Sequence, residues 1–309
     1  MELKISVVVT LYYSEKYVRE FYSRITKALL ALTENYEIIF VSDGSPDGAD
    51  LIVLELQQND PNITLIDLSR NFGHHQAILA GLSQASGEYI FLIDIDLEED
   101  PELLVYFWNV MKADQHTDVV FGIQQKRKGN FFEKVSGNLF YKILNSITHF
   151  NYPANTLTAR LMKIKYVESV LRFKEKAMDI WAIFVLAGFK QVGVPAEKKN
   201  KGSTTYTFYK KLAMSIEIIT SFSHRPLYSI FAIGLVWSIL SIINVFIILI
   251  KKWVYGIPVE GWASIMASVW LIGGIIVFLI GIISIYLSKI FLEIKDRPSS
   301  IVKNVYRKK

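Results

Sequence analysis

Two long apolar segments near the end of the chain constrain the fold more than any other feature of the sequence. Residues 226–250 and 262–288 contain no Asp, Glu, Lys or Arg. Each segment exceeds the roughly 20 residues that a helix needs to cross a hydrocarbon core of about 30 Å. Gly256, Pro258 and Gly261 in the short connection are typical of a turn. The sequence therefore predicts a transmembrane hairpin over residues 226–290.

The remaining composition is that of an ordinary soluble domain joined to this membrane part. Hydrophobic residues make up 51% of the chain, yet 20% are charged. We therefore expect a soluble domain over residues 1–205, which the distribution of Lys and Arg described next places in the cytoplasm. The chain contains no cysteine, which excludes disulfides and thiolate metal sites. The net charge of +5 is modest and lies largely near the C-terminus, so no nucleic-acid partner is expected.

Lys and Arg are distributed unevenly around the hairpin. The connection contains Lys251 and Lys252. The flanks contain Lys210, Lys211, Arg225, Lys289, Lys295, Arg297, Lys303, Arg307, Lys308 and Lys309. Because positive residues favour the cytoplasmic side, both termini are expected there, at an inner or plasma membrane. We also predict an amphipathic interfacial helix at 206–225 and a basic cytoplasmic tail at 291–309 that contacts anionic headgroups. The apolar stretch 5–9 is too short for a signal peptide.

Strand-like and helical patterns alternate through the first part of the chain. Apolar, β-branched runs at 4–10, 36–41, 63–68, 89–93 and 118–122 indicate strands, and helical spacing follows at 17–32, 49–58 and 75–83. This order predicts an α/β fold with a doubly wound, mostly parallel sheet. Ligands of such folds bind in the crevice at the carboxyl ends of the strands. Polar residues just after the strands are therefore the candidates for a site.

Two carboxylates follow the fourth predicted strand. Asp94 and Asp96 bracket Ile95 directly after the apolar run 89–93. Residues two apart on extended backbone point to the same side, so the two carboxylates can share one cation. Hard divalent cations such as Mg²⁺ take carboxylate oxygens as ligands. The alternative is a solvated acidic loop, since three further acidic residues follow at 98–100.

Other polar residues follow the first three strands. Thr10, Tyr12, Asp43 and Arg70 are expected to line the same crevice as the acidic pair. An acid at the end of the second strand suits a ribose hydroxyl or a base N–H. Arg70 could orient its loop toward the crevice or be a surface arginine beside a helix. The adjacent His74-His75 is interpreted as the polar start of a helix, because no further histidine lies nearby to complete a metal site.

Several motifs, taken together in their order and spacing, resemble the family 2 glycosyltransferases of GT-A type. The similarity is closest to the branch that loads a sugar onto a polyprenyl phosphate, and it runs from about Ile5 to Pro226. The motifs are Ser42-Asp43-Gly44-Ser45-Pro46-Asp47-Gly48, Leu68-Ser69-Arg70-Asn71-Phe72-Gly73, Ala80-Gly81-Leu82, Asp94-Ile95-Asp96-Leu97 and Ser221-Phe222-Ser223. The resemblance implies a nucleotide-sugar donor, a polyprenyl phosphate acceptor in the lipid bilayer, and Mg²⁺ or Mn²⁺ as cofactor.

The resemblance also implies roles for individual residues. Asp43 matches a residue that contacts the nucleotide. Asp94 and Asp96 match the motif that binds the metal and the diphosphate. Glu15 matches an acid in the first loop of the family. That loop departs from the family at positions 10 and 13, where Pro and Asn are usual, so the base pocket is expected to differ.

Later positions match the family less closely. Asn155 stands where the family commonly carries an Asp that has been regarded as a candidate base. An amide cannot take up this proton, but a phosphate monoester is largely dianionic at pH 7 and could attack without a base. Arg160 matches a family arginine and could clamp a phosphate or form a structural ion pair. Lys199, Lys201 and Ser203 belong to a basic loop that is similar to a phosphate-binding loop of the family, with a solvated loop as the alternative.

These observations lead to one main hypothesis and two alternatives. The main hypothesis is an inverting, metal-dependent transfer of a sugar from a UDP- or GDP-linked donor, with UDP-glucose favoured, to polyprenyl phosphate. Its catalytic candidates are Asp94, Asp96, Asn155 and Arg160. A processive polysaccharide synthase and a non-catalytic membrane scaffold of the same fold are the alternatives. Small residues such as Gly273-Gly274 indicate helix packing in a homo-oligomer.

Overall fold

The computed structural model describes residues 3–124, 155–173, 180–199, 225–255 and 261–308. The chain divides into two compact units. The first consists of Met1–Asn145, Phe150–Tyr206 and Arg297–Lys309, and the second of Ser146–His149 and Thr207–Asp296. The predicted interfacial helix at 206–225, except for its last residue, and the candidates Lys201 and Ser203 lie outside the described residues.

Strands and helices alternate from β1 to β5, and the sequence predicts this alternation as far as the fourth strand but not the helix that follows it. The strands of the described ranges are β1 (Ile5–Leu11), β2 (Tyr36–Ser42), β3 (Ile63–Leu68), β4 (Tyr89–Leu92), β5 (Val119–Gln124), β6 (Thr156–Lys163), β7 (Gln191–Ala196) and β8 (Val302–Arg307). The helices of these ranges are α1 (Glu15–Leu30), α2 (Ala49–Asn59), α3 (His74–Leu82), α4 (Leu103–Ala113), α5 (Ile164–Val170), α6 (Ile180–Leu186), α7 (Arg225–Tyr255) and α8 (Trp262–Ile294).

The eight strands of the described chain form one sheet in the order β7-β5-β6-β4-β1-β2-β3-β8. Parallel pairing joins β1 to β2 and β4, β2 to β3, and β5 to β7. β6 runs antiparallel between β4 and β5, and β8 runs antiparallel to β3. The sheet is therefore mostly parallel, as predicted, but mixed. The two antiparallel strands are absent from the sequence-based prediction.

Helices cover both faces of the sheet, as expected for a doubly wound α/β domain. β1 is buried along its whole length, and its alternate residues contribute to two different apolar cores. Val7 faces the core that contains Phe21 of α1 and Phe107 of α4, whereas Val8 faces the core that contains Ile78 of α3 and Phe184 of α6. A continuous apolar run such as that of β1 is typical of a strand covered on both sides.

The C-terminal segment corrects the prediction of a basic tail at 291–309. Residues Val302–Arg307 form the edge strand β8, and the chain from Arg297 onward belongs to the first unit. The backbone N–H of Ser69 donates to the carbonyl oxygen of Ile301 at 2.9 Å. Lys303 Nζ lies 3.5 Å from Asp67 Oδ2. Positive residues of this segment therefore contact the sheet, and its contact with lipid headgroups stays a prediction.

Both predicted membrane segments are helical. α7 contains residues 226–250, and α8 contains residues 262–288. Among the described residues, one segment, Leu271–Ile294, is long and apolar enough to cross a membrane, with a mean hydropathy of 2.5 over 18 residues. The assignment of two spanning helices therefore stays a prediction.

Candidate active site

The crevice of this sheet lies where the direction of chain winding changes. The chain passes from β1 through β2 to β3 on one side of β1, and then places β4 on its other side. In open α/β sheets, such a switch point at the carboxyl ends of the strands is where ligands bind. Thr10, near the end of β1, and Asp94, after β4, both follow this rule.

A row of polar contacts crosses the switch point. His74, the first residue of α3, places Nδ1 3.1 Å from Thr10 Oγ1 and Nε2 3.4 Å from Asp94 Oδ1. On the other side, Thr158 Oγ1 donates a hydrogen bond of 2.6 Å to Asp94 Oδ2. The Asp94 side chain remains 23% exposed and that of His74 41% exposed. The row therefore joins four elements, and a ligand can still reach the carboxylate of Asp94.

His74 and Thr158 were not among the site residues predicted from the sequence. His74 does begin a helix, as predicted, but the helix begins inside the crevice. Its signal in the sequence was its position directly after the Gly73 turn that follows β3. Thr158 gave no comparable signal, because β6 itself was not predicted. Its hydroxyl reaches Asp94 across a separation of 64 residues.

The acidic segment after β4 alternates between buried and half-buried residues. Ile93, Ile95 and Leu97 are buried, whereas Asp94 and Asp96 are half-buried. The backbone N–H of Glu98 donates to Asp96 Oδ1 at 2.9 Å. Leu97 has a φ of 59°, which turns the chain directly after the acidic pair. The alternation places both carboxylates on the more exposed side of the segment.

The acidic pair fits a hard divalent cation. Mg²⁺ and similar ions are commonly held by one or two carboxylates, with substrate phosphates and water completing the shell. Asp94 and Asp96 supply two half-exposed carboxylates of that kind. Within the described ranges, no group of three or more His, Cys, Asp or Glu side chains is arranged to enclose a metal ion.

Glu99 is a buried carboxylate beside the acidic pair. It is 1% exposed, and its oxygens accept hydrogen bonds from the backbone N–H groups of Thr158 at 3.0 Å and Ala159 at 2.6 Å. Burial, followed by the negative charge of Asp94, raises the pKa of Glu99 to about 7. The two backbone N–H groups and the ammonium of Lys198 act in the opposite direction but do not outweigh burial.

Asp43 holds the loop that precedes α3. It is 3% exposed, and its two oxygens accept hydrogen bonds from the backbone N–H groups of Phe72 at 2.7 Å and Gly73 at 3.0 Å. The two loops also approach each other closely at Gly44. A Cβ atom there would lie 2.7 Å from the amide nitrogen of Asn71. The structure therefore gives Asp43 a structural role, and its contact with a nucleotide stays a prediction.

Arg70 folds back onto its own loop. Its guanidinium donates to the carbonyl oxygen of Asn71 at 2.9 Å and lies 4.1 Å from the centre of the Phe72 ring. This geometry favours the alternative of a surface arginine that stiffens its loop. The predicted contact with a ligand stays a prediction.

The loop after β1 presents two aromatic rings. Tyr12 and Tyr13 are exposed and pack edge to face, with ring centres 4.8 Å apart. Tyr13 has a φ of 52°, and its backbone N–H donates to Ser45 Oγ at 2.9 Å. Glu15 begins α1, and its carboxylate accepts the backbone N–H of Gly48 at 3.4 Å. Glu15 therefore connects this loop to the loop after β2.

Arg160 was predicted to clamp a phosphate, but its guanidinium is buried among aromatic side chains. It is 3% exposed in β6, where its guanidinium lies 3.8 Å from the centre of the Phe184 ring and 4.6 Å from that of Trp181. It also donates to the carbonyl oxygens of Leu157 at 3.4 Å and Thr158 at 3.3 Å. These contacts hold Arg160 in the core, and both the phosphate clamp and the structural ion pair stay predictions.

Asn155 and Lys199 are candidates from later parts of the chain. Asn155 has a φ of 61°, a conformation that Asn tolerates better than most residues, and its carbonyl oxygen accepts the backbone N–H of Gln124. Lys199 donates through its backbone N–H to the carbonyl oxygen of Glu98 at 2.7 Å and through Nζ to Asp100 at 2.5 Å. Lys199 therefore fastens the start of the basic loop to the acidic segment.

Comparisons with known proteins agree on one family. The model of Glycosyl transferase family 2 matches residues 6–171. A protein of Mycobacterium tuberculosis (strain CDC 1551 / Oshkosh) that is named as a glycosyltransferase is 40% identical over 304 residues, which cover 98% of this chain and 89% of that protein. The SfII prophage-derived bactoprenol glucosyl transferase of Shigella flexneri is 29% identical over 308 residues, which cover 99% of each chain.

A solved structure is similar over a smaller part of the chain. It is the glucosyl-3-phosphoglycerate synthase from Mycobacterium tuberculosis in complex with Mn²⁺, uridine diphosphate and phosphoglyceric acid. The TM-score is 0.47 and the identity 13%, and the similarity covers 71% of this chain and 76% of that one. On the family match and the 40% identity of the mycobacterial relative, this chain belongs to glycosyl transferase family 2.

Proposed function

We propose that this chain transfers a sugar, with glucose favoured, from a nucleoside diphosphate sugar to a polyprenyl phosphate. The observation that carries the proposal is the half-exposed pair Asp94 and Asp96 at the switch point of a family 2 glycosyltransferase sheet. The choice of acceptor and sugar is supported by the bactoprenol glucosyl transferase of Shigella flexneri, which is similar to this chain over 99% of its length.

The donor would bind with its diphosphate toward the acidic pair. Asp94 and Asp96 would hold a Mg²⁺ or Mn²⁺ ion, which when bound offsets the negative charge that develops on the leaving diphosphate. Thr158 and His74 contact Asp94 and keep its carboxylate directed into the crevice. The exposed ring of Tyr12 offers a face on which a nucleobase can stack.

The reaction requires no protein base to activate the acceptor. A phosphate monoester has its second pKa near 6, so the polyprenyl phosphate is largely dianionic at pH 7. One of its oxygens forms a bond to the anomeric carbon while the bond from that carbon to the diphosphate oxygen breaks. The electron pair leaves on the nucleoside diphosphate, and a single in-line displacement inverts the anomeric configuration. Asn155 can contribute hydrogen bonds but cannot act as a base here.

The acceptor requires the site to work at a membrane. We propose that α7 and α8 both span the bilayer as a hairpin, preceded by an interfacial helix at 206–225. The large domain and both termini would lie in the cytoplasm at the inner or plasma membrane, as the distribution of Lys and Arg predicts. Small residues such as Gly273-Gly274 would allow close helix packing in a homo-oligomer.

A transfer assay tests the proposal. Purified full-length protein in detergent is given Mg²⁺ or Mn²⁺, polyprenyl phosphate, and radiolabelled UDP-glucose, UDP-N-acetylglucosamine or GDP-mannose. We expect UDP-glucose to give the largest amount of label in a lipid-extractable product that mild acid cleaves. The D114N variant, which changes an exposed carboxylate on another edge of the domain, should retain this activity.

The same assay separates the alternatives. Label in a water-soluble or ethanol-insoluble polymer would indicate a processive synthase. Nucleotide binding without any labelled product would indicate a non-catalytic scaffold. Absence of a labelled lipid with every donor, from protein that is folded and inserted in the membrane, would contradict the proposed function.

A further inference from the structure

One oxygen of Asp94 is held by a strand that the sequence did not predict. Thr158 of β6 donates its hydroxyl to Asp94 Oδ2 at 2.6 Å, and Thr158 is 6% exposed. This is a short hydrogen bond to a partly exposed carboxylate from a hydroxyl of a buried residue. The orientation of Asp94 therefore depends on where β6 places the backbone of Thr158.

The backbone at this point of β6 lies beyond the reach of β4. The pairing of the two strands extends only as far as Leu92 opposite Arg160. The buried backbone N–H groups of Thr158 and Ala159 still require acceptors. Glu99 supplies both, with one oxygen for each N–H group, at 3.0 and 2.6 Å.

Glu99 occupies a position that disfavours a carboxylate. Burying a charge is costly unless it is paired and hydrogen-bonded. Lys198 Nζ lies 4.0 Å from Glu99 Oε1 and 3.2 Å from Glu98 Oε2, which supplies a partial counter-charge. Lys199, the next residue, is bonded through its backbone to Glu98. Two segments of the chain therefore hold Glu99 at the point of β6 that contacts Asp94.

We propose that Glu99 and Thr158 form a brace that positions Asp94 for the metal and the diphosphate of the donor. Glu99 fixes the backbone of β6, and the hydroxyl of Thr158 then fixes the carboxylate of Asp94. Both are positioning residues, since neither needs to touch the substrate. The inference rests on the proposed function for the identity of the ligand, but it concerns binding rather than transfer.

Binding of Mn²⁺ in the presence of UDP tests the brace without any transfer step. Free Mn²⁺ is followed by electron paramagnetic resonance in titrations of the full-length protein. The T158V variant keeps the shape of the side chain and loses the hydroxyl, and we expect it to raise the Kd for Mn²⁺ about 10-fold, at the lower end of the usual range for outer-shell partners of metal ligands. The T158S variant restores a hydroxyl and should return the Kd to within about 3-fold of wild type.

Thr117 offers a matched control. Its hydroxyl also contacts an aspartate, Asp114, at 3.2 Å, and the residue is 1% exposed. T117V therefore removes a contact between the hydroxyl of a buried threonine and an aspartate at another edge of the domain, and should leave Mn²⁺ binding unchanged. Equal Mn²⁺ binding by T158V and wild type would overturn the proposal.

A second variant tests whether Glu99 and Thr158 act together on Asp94. E99Q can accept only one of the two backbone N–H groups, so it should also raise the Kd for Mn²⁺. Because Glu99 and Thr158 act on the same contact, the double variant should bind Mn²⁺ no more weakly than the weaker single variant. Additive effects would show independent roles and overturn the brace.

A wild-type protein that binds Mn²⁺ but forms no labelled lipid would contradict the proposed function alone, whereas failure to bind Mn²⁺ with UDP would contradict both.

Discussion

The two halves of the crevice hold their carboxylates in different ways. In the half formed by β1, β2 and β3, Asp43 is almost fully buried and both of its oxygens accept backbone N–H groups of a neighbouring loop. In the half formed by β4 and β6, Asp94 is contacted by the side chains of His74 and Thr158 and remains partly exposed. The first arrangement shapes a loop, whereas the second leaves a charge available.

This difference shows that the position of an acid at a strand end does not by itself define its role. Asp43 follows β2 and Asp94 follows β4, on either side of β1, so both acids were expected to line the same crevice. Asp43 accepts two backbone N–H groups and is 3% exposed, so little of its carboxylate can reach a ligand. A carboxylate that is held by side chains and open to solvent can still bind a cation. We therefore expect the chemistry to depend on the half formed by β4 and β6, which we call the acidic half. The shape of the crevice should depend on the half formed by β1, β2 and β3.

The largest effect is expected from removing charge in the acidic half. D96N should lower the rate of sugar transfer at least about 100-fold, because preorganised charge stabilisation at a leaving group commonly contributes that much. Circular dichroism and membrane insertion should match those of wild type, since Asp96 is half-exposed. The rate is measured with radiolabelled donor, with D114N as the control. Full activity of D96N would remove the acidic pair from the mechanism.

The second largest effect is expected on the pH dependence of stability, through Glu99 in the same half. Burial raises the pKa of Glu99 from its ordinary value of 4.5 to about 7. The folded state therefore binds this proton more tightly than the unfolded state, and the stabilisation is complete below pH 4.5 and lost as the pH rises through 7. The free energy of unfolding falls by no more than about 3 kcal/mol over this pH range.

Thermal unfolding measured in EDTA between pH 4 and 8 checks this expectation. The Tm of wild type should fall relative to that of E99Q as the pH rises across this window. E37Q is a useful control, because hydrogen bonds from Ser6 and Ser86 lower the pKa of Glu37 despite its burial. Parallel pH profiles for wild type and E99Q would contradict the raised pKa.

In the other half, the close approach of two loops should be sensitive to a single methyl group. G44A places a Cβ atom 2.7 Å from the backbone of Arg70 and Asn71, at a φ of 62° that disfavours Ala. We expect the free energy of unfolding to fall by about 2 kcal/mol, because the backbone is strained and the two loops must separate. This change is measured as a lower Tm. Gly188 has a φ of 72° with nothing near its Cβ position, so G188A isolates the conformational part. Equal Tm losses for both variants would exclude a contact effect at Gly44.

The smallest effect is expected at Asp43. D43N keeps one acceptor and loses the other, which leaves the N–H group of Phe72 or Gly73 without its partner. The expected destabilisation is about 1–2 kcal/mol, with a weaker apparent affinity for the donor because the loop is less ordered. Thermal unfolding and donor titration measure the two effects. A fall in transfer rate as large as that of D96N, at saturating donor, would assign Asp43 to the chemistry instead.

The sequence predicted the part of the fold that depends on local pattern. The strands β1 to β5 followed from runs of apolar residues and the helices α1 to α3 from helical spacing, whereas α4 was not predicted. Helices do cover both faces of the sheet. β6 was missed because Thr156, Thr158 and Arg160 interrupt its apolar residues, which pack only once β4 and β5 lie on either side. β8 was missed because its positive residues indicated a tail, whereas its pairing partner, β3, lies more than 200 residues earlier.

The candidate site was predictable to the same extent. The positions of Thr10, Asp43, Asp94 and Asp96 followed from strand ends, which local pattern defines. Their partners did not follow, because those contacts join residues 59 to 64 positions apart in the case of Glu99, His74 and Thr158. The packing of Arg160 against Phe184 in the core did not follow from the sequence either, and its contact with a phosphate stays a prediction.

Metal-dependent binding of the donor compares the two halves most directly. UDP-glucose is titrated into full-length wild type, D43N and D96N by calorimetry, with and without Mn²⁺. We expect Mn²⁺ to strengthen binding to wild type and to D43N, although D43N binds more weakly in both conditions, and to have no effect on D96N. Retention of the Mn²⁺ effect by D96N together with its loss in D43N would overturn the assignment of the metal to the acidic pair.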